Sequence, residues 1–320
     1  MKILMPEYNT LTKGDIDMSV FESFGDLVIM DQASREELKA EIRNADVLFV
    51  NKTKVDEELL ACAEKLRYIG ECATGFNNID LEACKKRGIR VTNVPTYSTS
   101  SVAQQTFAFI LEYYNKVADF SDFCMEGGWV SSPYFSNFKY DMFELEGVTI
   151  GLIGYGLIAQ SVAKIANAFG MNVLAYKRSA AVGTTSEDGL AHFVSLDDLV
   201  GSADIVSVHC PLNDQSQGMC DSSFFARMKD GAMFINTARG PIVDELALKE
   251  ALESGKLGFA ALDVLEVEPM SPSCPLLGVK NLIITPHVAW APFETRTRLV
   301  EIVADNYKSF AAGEPKNVIA

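Results

Sequence analysis

One short segment, "VTIGLIGYGLIAQSVA" at residues 148–163, constrains the fold more than any other part of the sequence. An apolar run that predicts a β-strand leads directly into two glycines, and a helical pattern follows. Gly154 permits a tight turn from strand to helix, Gly156 lets the backbone approach a pyrophosphate, and Ala159 lets the helix pack closely on the strand. The segment therefore predicts a Rossmann-type unit that binds a dinucleotide.

The helix predicted after these glycines supports the same interpretation. Its first backbone N–H groups, around Leu157 and Ile158, are available to bind phosphate oxygens. Apolar residues then recur at the spacing of one buried helix face: Val162, Ile165, Ala166 and Phe169. Glycines flanked by a strand and a helix are stronger evidence for a nucleotide site than the glycines alone.

The next predicted strand ends in "AYKRS", where a basic pair replaces the expected acid. In NAD sites an acidic residue roughly 20 positions after the first glycine binds the ribose 2′-hydroxyl. Lys177 and Arg178 cannot accept that hydrogen bond, but they can neutralise a 2′-phosphate, and Arg178 can do so bidentately. Ser179 adds a hydroxyl donor. We therefore predict that NADP is favoured and NAD is possible; the alternative is an NAD site beside a solvated basic patch.

Short apolar strands alternate with amphipathic helices along the whole chain. Strands are predicted at 2–6, 26–30, 46–50, 67–71 and 89–93, and again at 148–154, 172–176, 204–209, 232–236, 259–264 and 281–285. Nearly continuous apolar strands of this kind form parallel sheets that are covered on both faces. The pattern predicts an α/β fold with two doubly wound parallel-sheet domains, a flavodoxin-like substrate-binding domain (1–100 plus 291–320) and a Rossmann dinucleotide-binding domain (101–290). One long helix, 101–120, is expected to join them.

Charge and cysteine content exclude several classes of function. The formal net charge of −15 argues against non-specific binding to nucleic acid or to anionic membranes, because both need a basic surface. No apolar run is long enough to span a membrane, and the N-terminal "MKILMPEYN" is typical of a first strand and not of a signal peptide. The seven cysteines contain no CxxC pair and are interpreted as reduced thiols, with no metal site. We expect a cytoplasmic protein.

An irregular aromatic segment, "EGGWVSSPYFSNFKYDMF" at 126–143, follows the predicted joining helix. Large aromatic side chains are costly to leave in water, so a contact between two copies of the chain is a better interpretation than an exposed loop. The residues expected at this contact are Trp129, Tyr134, Phe135 and Phe138. The sequence therefore predicts a homodimer.

Three polar residues follow strands of the second set: Arg239 in "NTARGPIVDE", Glu268 in "LEVEP" and His287 in "TPHVAW". Ligands of open α/β sheets bind at the carboxyl ends of the strands. Hydride transfer to a 2-keto acid needs a cation for the carboxylate and ketone, a role that Arg239 fits, and an acid for the oxygen, a role that His287 fits. Glu268 is expected to pair with His287 and keep it oriented and protonated. Without further context, each of these residues could instead be structural.

The ordered motifs extend over essentially the whole chain: "ATGFNNID", "NVPTYSTSSVAQQTFAFIL", "GLIGYGLIAQ", "NTARGPIVDE", "ALDVLEVEP" and "TPHVAW". Together they resemble the D-isomer-specific 2-hydroxyacid dehydrogenase family, and within it the D-glycerate dehydrogenase/hydroxypyruvate reductase branch. The resemblance implies that the catalytic residues are Arg239, Glu268 and His287. It implies that the backbone at Thr74 and Gly75 binds the substrate carboxylate.

The same resemblance places Pro211, Thr237 and Asp263 at the cofactor, with Asp263 holding the nicotinamide amide. This chain departs from the usual pattern of the family at Lys177, where an acid is common, and at Leu157, where an arginine is often found. The expected activity is NAD(P)H-dependent reduction of hydroxypyruvate or glyoxylate to the D-2-hydroxy acid, with oxidation of D-glycerate as the reverse reaction. Two alternatives are a dehydrogenase of another acid, such as D-lactate or a branched-chain acid, and a dinucleotide-sensing binding protein that resembles C-terminal-binding-protein corepressors.

Overall fold

The computed structural model describes residues 1–31 and 33–320. Contacts between residues divide the chain into two units. The first consists of Met1–Ser98 with Trp290–Ala320, and the second is Thr99–Ala289. None of the helices in the described part of the chain is both long enough and apolar enough to cross a membrane.

The first unit contains a five-stranded parallel sheet with the order β2-β1-β3-β4-β5. Its strands are β1 (Lys2–Met5), β2 (Asp26–Ile29), β3 (Val47–Val50), β4 (Tyr68–Glu71) and β5 (Arg90–Thr92), and its helices are α1 (Ser19–Glu22), α2 (Arg35–Ile42), α3 (Glu57–Leu60), α4 (Leu81–Lys86) and α11 (Phe293–Ala311). This order is that of flavodoxin-like doubly wound sheets. Helix α11 buries Leu299, Val303 and Tyr307 in the cluster that also holds Phe49 and Tyr68 of the sheet.

The second unit contains a seven-stranded parallel sheet with the order β12-β11-β10-β9-β6-β7-β8. Its strands are β6 (Thr149–Ile153), β7 (Asn172–Tyr176), β8 (His192–Phe193), β9 (Ile205–Val208), β10 (Ala232–Asn236), β11 (Leu257–Leu262) and β12 (Leu282–Ile284). Its helices are α5 (Thr99–Asn115), α6 (Val117–Met125), α7 (Leu157–Ala168), α8 (Leu196–Ser202), α9 (Ser222–Arg227) and α10 (Glu245–Glu253). The predicted α/β fold with two parallel sheets is confirmed. The two-residue β8 is too short to produce a periodic sequence signal and was not predicted.

The single helix predicted for 101–120 is wrong, because the chain breaks between α5 and α6 at Lys116. Lys116 has a φ of 52°, in the left-handed region that ends a helix. Its ammonium group lies over the rings of Tyr113 (4.6 Å) and Phe259 (5.4 Å). These cation–π contacts hold the Lys116 side chain at the turn. The aromatic segment that follows α6 is irregular and exposed.

The turn from β6 to α7 shows why its glycines are needed. Gly154 has a φ of +91°, and a Cβ there would lie 2.8 Å from the backbone nitrogen of Cys210. Ala159 is fully buried where α7 packs on the sheet. The prediction that Phe169 is buried on this helix face is wrong, because α7 ends at Ala168 and leaves Phe169 41% exposed, stacked on Phe107.

Candidate active site

A cavity of about 870 Å³ opens at the carboxyl edge of the seven-stranded sheet. Its volume is in the range of cofactor sites. The turns that follow β6, β7 and β9 form its walls. They contribute the predicted cofactor residues Gly154, Gly156, Lys177, Arg178, Ser179 and Pro211, together with His209 and Cys210. The sheet therefore brings together groups that are distant in the sequence, since Gly154 and Pro211, 57 positions apart, face the same space.

The backbone of this cavity fits a pyrophosphate. A Cβ placed on Gly156 would meet no other atom within 4 Å, so the glycine leaves open space where a phosphate can approach. Gly156 caps α7 without a side-chain hydrogen bond. The N–H groups of Leu157 and Ile158 in the first turn are therefore directed to a ligand. Leu157 is 55% exposed at this point.

The basic pair lies at the same cavity. Lys177, Arg178 and Ser179 are all part of its wall. Within residues 1–31 and 33–320, no carboxylate forms an ion pair with Lys177 or Arg178. The cavity thus presents two cations that form no ion pair with the described residues.

The loop after β9 adds polar groups that the sequence interpretation missed. Asn213, Gln215 and Ser216 line the cavity beside Pro211. The Ser216 hydroxyl donates to the Pro211 carbonyl oxygen over 2.7 Å and accepts from the Asn213 N–H over 2.8 Å. The polar run "NDQSQ", which begins five residues after the end of β9, was the available signal.

His209 lines the cavity as a neutral residue. One ring nitrogen, Nε2, is hydrogen-bonded to the Ser207 hydroxyl over 2.9 Å. Burial lowers the pKa of His209 to about 4, because the charged imidazolium loses solvation there. His209 is therefore a poor proton donor near neutral pH, and His287 is the better candidate for that role.

His287 and Glu268 form a hydrogen-bonded pair. The distance from His287 Nδ1 to Glu268 Oε2 is 2.6 Å. The other carboxylate oxygen of Glu268 accepts the Leu265 N–H over 2.9 Å, which fixes the carboxylate plane. Among the described residues, no group is hydrogen-bonded to His287 Nε2, so this atom is left for a substrate. A proton at Nε2 therefore has a route to a ligand, while Nδ1 is held by Glu268.

Asp263 holds the turn that carries His287. This carboxylate is 1% exposed and accepts hydrogen bonds from the Thr285 hydroxyl (2.5 Å) and from the N–H groups of Val288 (2.9 Å) and Ala289 (2.8 Å). His287 itself has a φ of 54°, an uncommon conformation that the hydrogen bonds of Asp263 stabilise. The expected contact of Asp263 with a nicotinamide amide stays a prediction.

The turn that carries Arg239 is also fixed by buried contacts. Asn236 is fully buried, accepts the Ala238 N–H and donates to the Arg239 carbonyl oxygen, each over 2.9 Å. Within the described parts of the chain, no carboxylate pairs with the Arg239 guanidinium, which donates to the Ala238 carbonyl oxygen. Nearby, the Thr237 hydroxyl is buried without a hydrogen-bond partner among the described groups, as expected where a ligand supplies one.

Two contacts join the turn after β10 to the loop after β11. A Cβ on Gly240 would lie 1.8 Å from the Leu265 carbonyl oxygen, so only glycine permits this approach. The carboxylate of Glu245, in the first turn of α10, accepts the Glu266 N–H over 2.8 Å. The loop that carries Glu268 is thereby held against the turn that carries Arg239. Because β10, β11 and β12 are neighbours in the sheet, Arg239, Glu268 and His287 all follow strand ends at one edge.

Thr74 and Gly75 belong to the first unit, in the turn after β4. The Thr74 hydroxyl donates to the Val94 carbonyl oxygen over 2.7 Å. Its side chain is therefore committed to the fold, and only the backbone of the turn is free to act on a substrate, as the resemblance implies.

Comparison with known proteins identifies the family of the chain. The family model for the D-isomer specific 2-hydroxyacid dehydrogenase, NAD binding domain, matches residues 107–289. A hydroxypyruvate reductase from Blautia hydrogenotrophica is 40% identical over 322 residues, which cover 100% of this chain and 99% of that protein.

Solved structures show the same fold with both cofactors. D-Lactate dehydrogenase from Aquifex aeolicus, complexed with NAD and lactic acid, is 30% identical with a TM-score of 0.84, over 98% of this chain and 96% of that one. An acyclic imino acid reductase in complex with NADPH and D-Arg is 29% identical with a TM-score of 0.87, over 100% of both chains. With a matched NAD-binding domain and a relative of this identity along its whole length, the chain belongs to the D-isomer-specific 2-hydroxyacid dehydrogenase family of NAD(P)-dependent oxidoreductases.

Proposed function

We propose that this dehydrogenase reduces hydroxypyruvate or glyoxylate to the D-2-hydroxy acid, with oxidation of D-glycerate as the reverse reaction, and that NADPH is its preferred reductant. The observation that carries the proposal is the hydrogen-bonded pair of His287 and Glu268 at the sheet edge that also forms the dinucleotide cavity. The hydroxypyruvate reductase that is 40% identical along the whole chain supports this choice of substrate.

In this proposal, His287 and Glu268 have different roles in the reduction. A reduced nicotinamide, when bound, would supply the hydride for the C2 carbon of the keto acid. His287 donates the proton at Nε2 to the ketone oxygen, so the product carries one new C–H bond and one new O–H bond. Glu268 is hydrogen-bonded to Nδ1 and keeps the ring oriented so that Nε2 is left for the substrate. In the oxidation, His287 accepts the proton from the hydroxyl group.

Arg239 is proposed to bind the substrate carboxylate and the developing negative charge on the ketone oxygen. Its guanidinium has no carboxylate partner in the described chain, and a planar fork fits a carboxylate bidentately. The protein carries a net charge of −15, so an anionic substrate needs a local cation. As the family resemblance implies, the backbone N–H groups of the Thr74–Gly75 turn are proposed to take part in binding the substrate carboxylate. On this proposal the first unit is the substrate-binding domain and the second binds the dinucleotide.

The preference for NADPH rests on Lys177 and Arg178. Both line the cavity and neither is paired with a carboxylate of the described residues. A 2′-phosphate would satisfy both, and Ser179 would donate a further hydrogen bond. NAD lacks this phosphate and would leave both cations to solvent.

Initial rates test the substrate class. We would measure them with NADPH and with NADH against hydroxypyruvate, glyoxylate, pyruvate and branched 2-keto acids. The proposal expects hydroxypyruvate or glyoxylate to give the highest kcat/KM. Preference for pyruvate or a branched acid would assign another dehydrogenase of the same family, and nucleotide binding without turnover of any acid would favour a dinucleotide-sensing protein.

The enzyme is further proposed to act as a homodimer through the segment after α6. Tyr134, Phe135 and Phe138 are 73%, 92% and 85% exposed, and Trp129 is 52% exposed, which is unusual for neighbouring aromatic residues. Light scattering should then give about twice the 35.0 kDa chain mass. Trp129→Asp should shift the mass toward the monomer, because it places a charge in an apolar contact. A monomeric wild type would refute this interface.

A further inference from the structure

The Thr74–Gly75 turn is tied to the segment that follows β5. The Asn93 side-chain amide donates to the Thr74 carbonyl oxygen over 2.7 Å. The Thr74 hydroxyl donates to the Val94 carbonyl oxygen over 2.7 Å, and the Val94 N–H donates to the Ala73 carbonyl oxygen over 3.0 Å. Three hydrogen bonds thus fix the backbone of the turn from one side.

The segment after β5 is held in turn by the last helix and the C-terminal tail. The Asn306 amide, in α11, donates to the Asn93 carbonyl oxygen over 3.0 Å. The Asn317 amide donates to the Asn306 side-chain oxygen over 2.8 Å, and the Asn93 N–H donates to the Asn317 carbonyl oxygen over 3.2 Å. Asn93, Asn306 and Asn317 therefore form a closed ring of hydrogen bonds, with Thr74 attached at Asn93.

The ring depends on the ability of the asparagine amide group to donate and accept hydrogen bonds at the same time. Asn306 uses both functions while it is 1% exposed. Asn93 is 7% exposed. A buried partner left unsatisfied costs about 1–3 kcal/mol, so displacement of any member strains the others. Asn317 has a φ of 50°, a conformation that asparagine adopts more readily than most residues.

We propose that Asn93, Asn306 and Asn317 are positioning residues for the substrate carboxylate. The ring transmits the position of α11 and of the C-terminal tail to the Thr74–Gly75 backbone, and so sets the affinity for the 2-keto acid without touching it. This inference rests on the proposed function, because it assumes that the turn binds the carboxylate.

Three variants separate positioning from general stability. Asn93→Ala removes the donor to Thr74. Asn317→Gly removes the distal amide, and glycine keeps the positive φ, so folding should be retained. Lys316→Ala is the matched control, because it removes the exposed ion pair of Lys316 with Asp305 in α11 (2.9 Å) next to the ring without touching the ring.

For each variant we would measure KM and kcat for the preferred keto acid, Ki for oxamate as a non-reducible keto-acid analogue, the NADPH Kd by fluorescence, and the melting temperature. Asn93→Ala should raise KM and Ki by about tenfold, the equivalent of roughly one hydrogen bond, with kcat changed less than about threefold. Asn317→Gly should raise both by about twofold to threefold, and Lys316→Ala should change neither. The NADPH Kd should stay at the wild-type value throughout.

The outcomes distinguish this inference from the proposed function. A wild type that reduces no 2-keto acid overturns both. An active wild type whose Asn93→Ala variant keeps KM and Ki within about twofold overturns the positioning role alone. So does a variant in which the NADPH Kd and KM worsen together, because that pattern reports general loss of the folded state.

Discussion

The second unit has two large cavities, one at each edge of its sheet, and only one of them suits a dinucleotide. The cavity at the carboxyl edge measures about 870 Å³ and the one at the amino edge about 620 Å³. The carboxyl-edge cavity has Lys177 and Arg178 as its charged lining residues among those described. The amino-edge cavity is lined by four carboxylates, those of Glu144, Glu146, Asp204 and Asp230, and by Lys229. Lys229 is already paired with Asp204 over 2.8 Å. Cavity volume alone therefore does not identify a phosphate site. The charge of the lining residues does, because only the carboxyl-edge cavity is lined by basic residues without carboxylates.

The orientations of two helices add to the difference in charge between the two cavities. Helix α7 begins at the carboxyl edge, directly after the Gly154–Gly156 turn that lines the cavity, so the partial positive charge of its N-terminus lies at this edge. Helix α8 ends at Ser202, just before β9 starts, so it brings carbonyl groups to the amino edge. An anion is thus favoured at one edge and disfavoured at the other. Variants matched across the two edges should affect function at the carboxyl edge only.

The largest effect is expected at His287. His287→Asn should lower kcat by about 10²–10⁴-fold, because the general acid is lost. Asparagine is chosen because it tolerates the φ of 54° at this position. The control is His192→Asn, which alters an exposed histidine in β8. If the two variants had similar steady-state kcat values, the proton donor would lie elsewhere.

Arg239 should give the next largest effect. Arg239→Ala should lower kcat/KM by about 10²–10³-fold, by analogy with the loss of an oxyanion donor. This loss corresponds to about 2.7–4 kcal/mol of transition-state stabilisation. Arg239→Lys should retain more activity with a raised KM, because it keeps the charge and loses the planar fork. Lys229→Ala removes a cation from the amino edge and should leave kcat/KM unchanged. Near-wild-type kinetics for Arg239→Ala would make the arginine structural.

Gly156 tests the backbone of the cavity. Gly156→Ala should weaken NADPH binding by at least about tenfold, because its Cβ occupies the space a phosphate needs and costs charge-assisted hydrogen bonds. The melting temperature should be nearly unchanged, since no protein atom lies within 4 Å of that Cβ. Gly201→Ala in α8 is the control, with its nearest neighbour 3.9 Å away. Calorimetric titration that gave equal Kd values for both variants would contradict this placement of the phosphate.

Local sequence patterns predicted the parts of the fold that depend on residues close together in the sequence. Each predicted strand has a counterpart in the sheets, and the glycine turn is a contiguous motif, so its cavity could be anticipated. Arg239, Glu268 and His287 come three, six and three residues after the ends of β10, β11 and β12, so the sequence could locate them at the carboxyl edge, and their catalytic roles stay predictions. At the break, the Lys116 ammonium group contacts the ring of Phe259, which lies far along the chain. The ring that joins Asn93 to Asn317 is equally non-local, and periodicity contains no signal for either feature.

The most direct test of the account is the dissociation constant of each reduced cofactor, measured by fluorescence on the wild type and on the double variant Lys177→Asp/Arg178→Ala. Lys177 and Arg178, which form no ion pair with the described residues, predict that the wild type binds NADPH about tenfold more tightly than NADH, the equivalent of one charge-assisted hydrogen bond. The double variant should lose this preference and favour NADH, because the introduced carboxylate would accept a hydrogen bond from the ribose 2′-hydroxyl and repel a 2′-phosphate. A wild type that binds NADH about tenfold more tightly than NADPH would contradict the account.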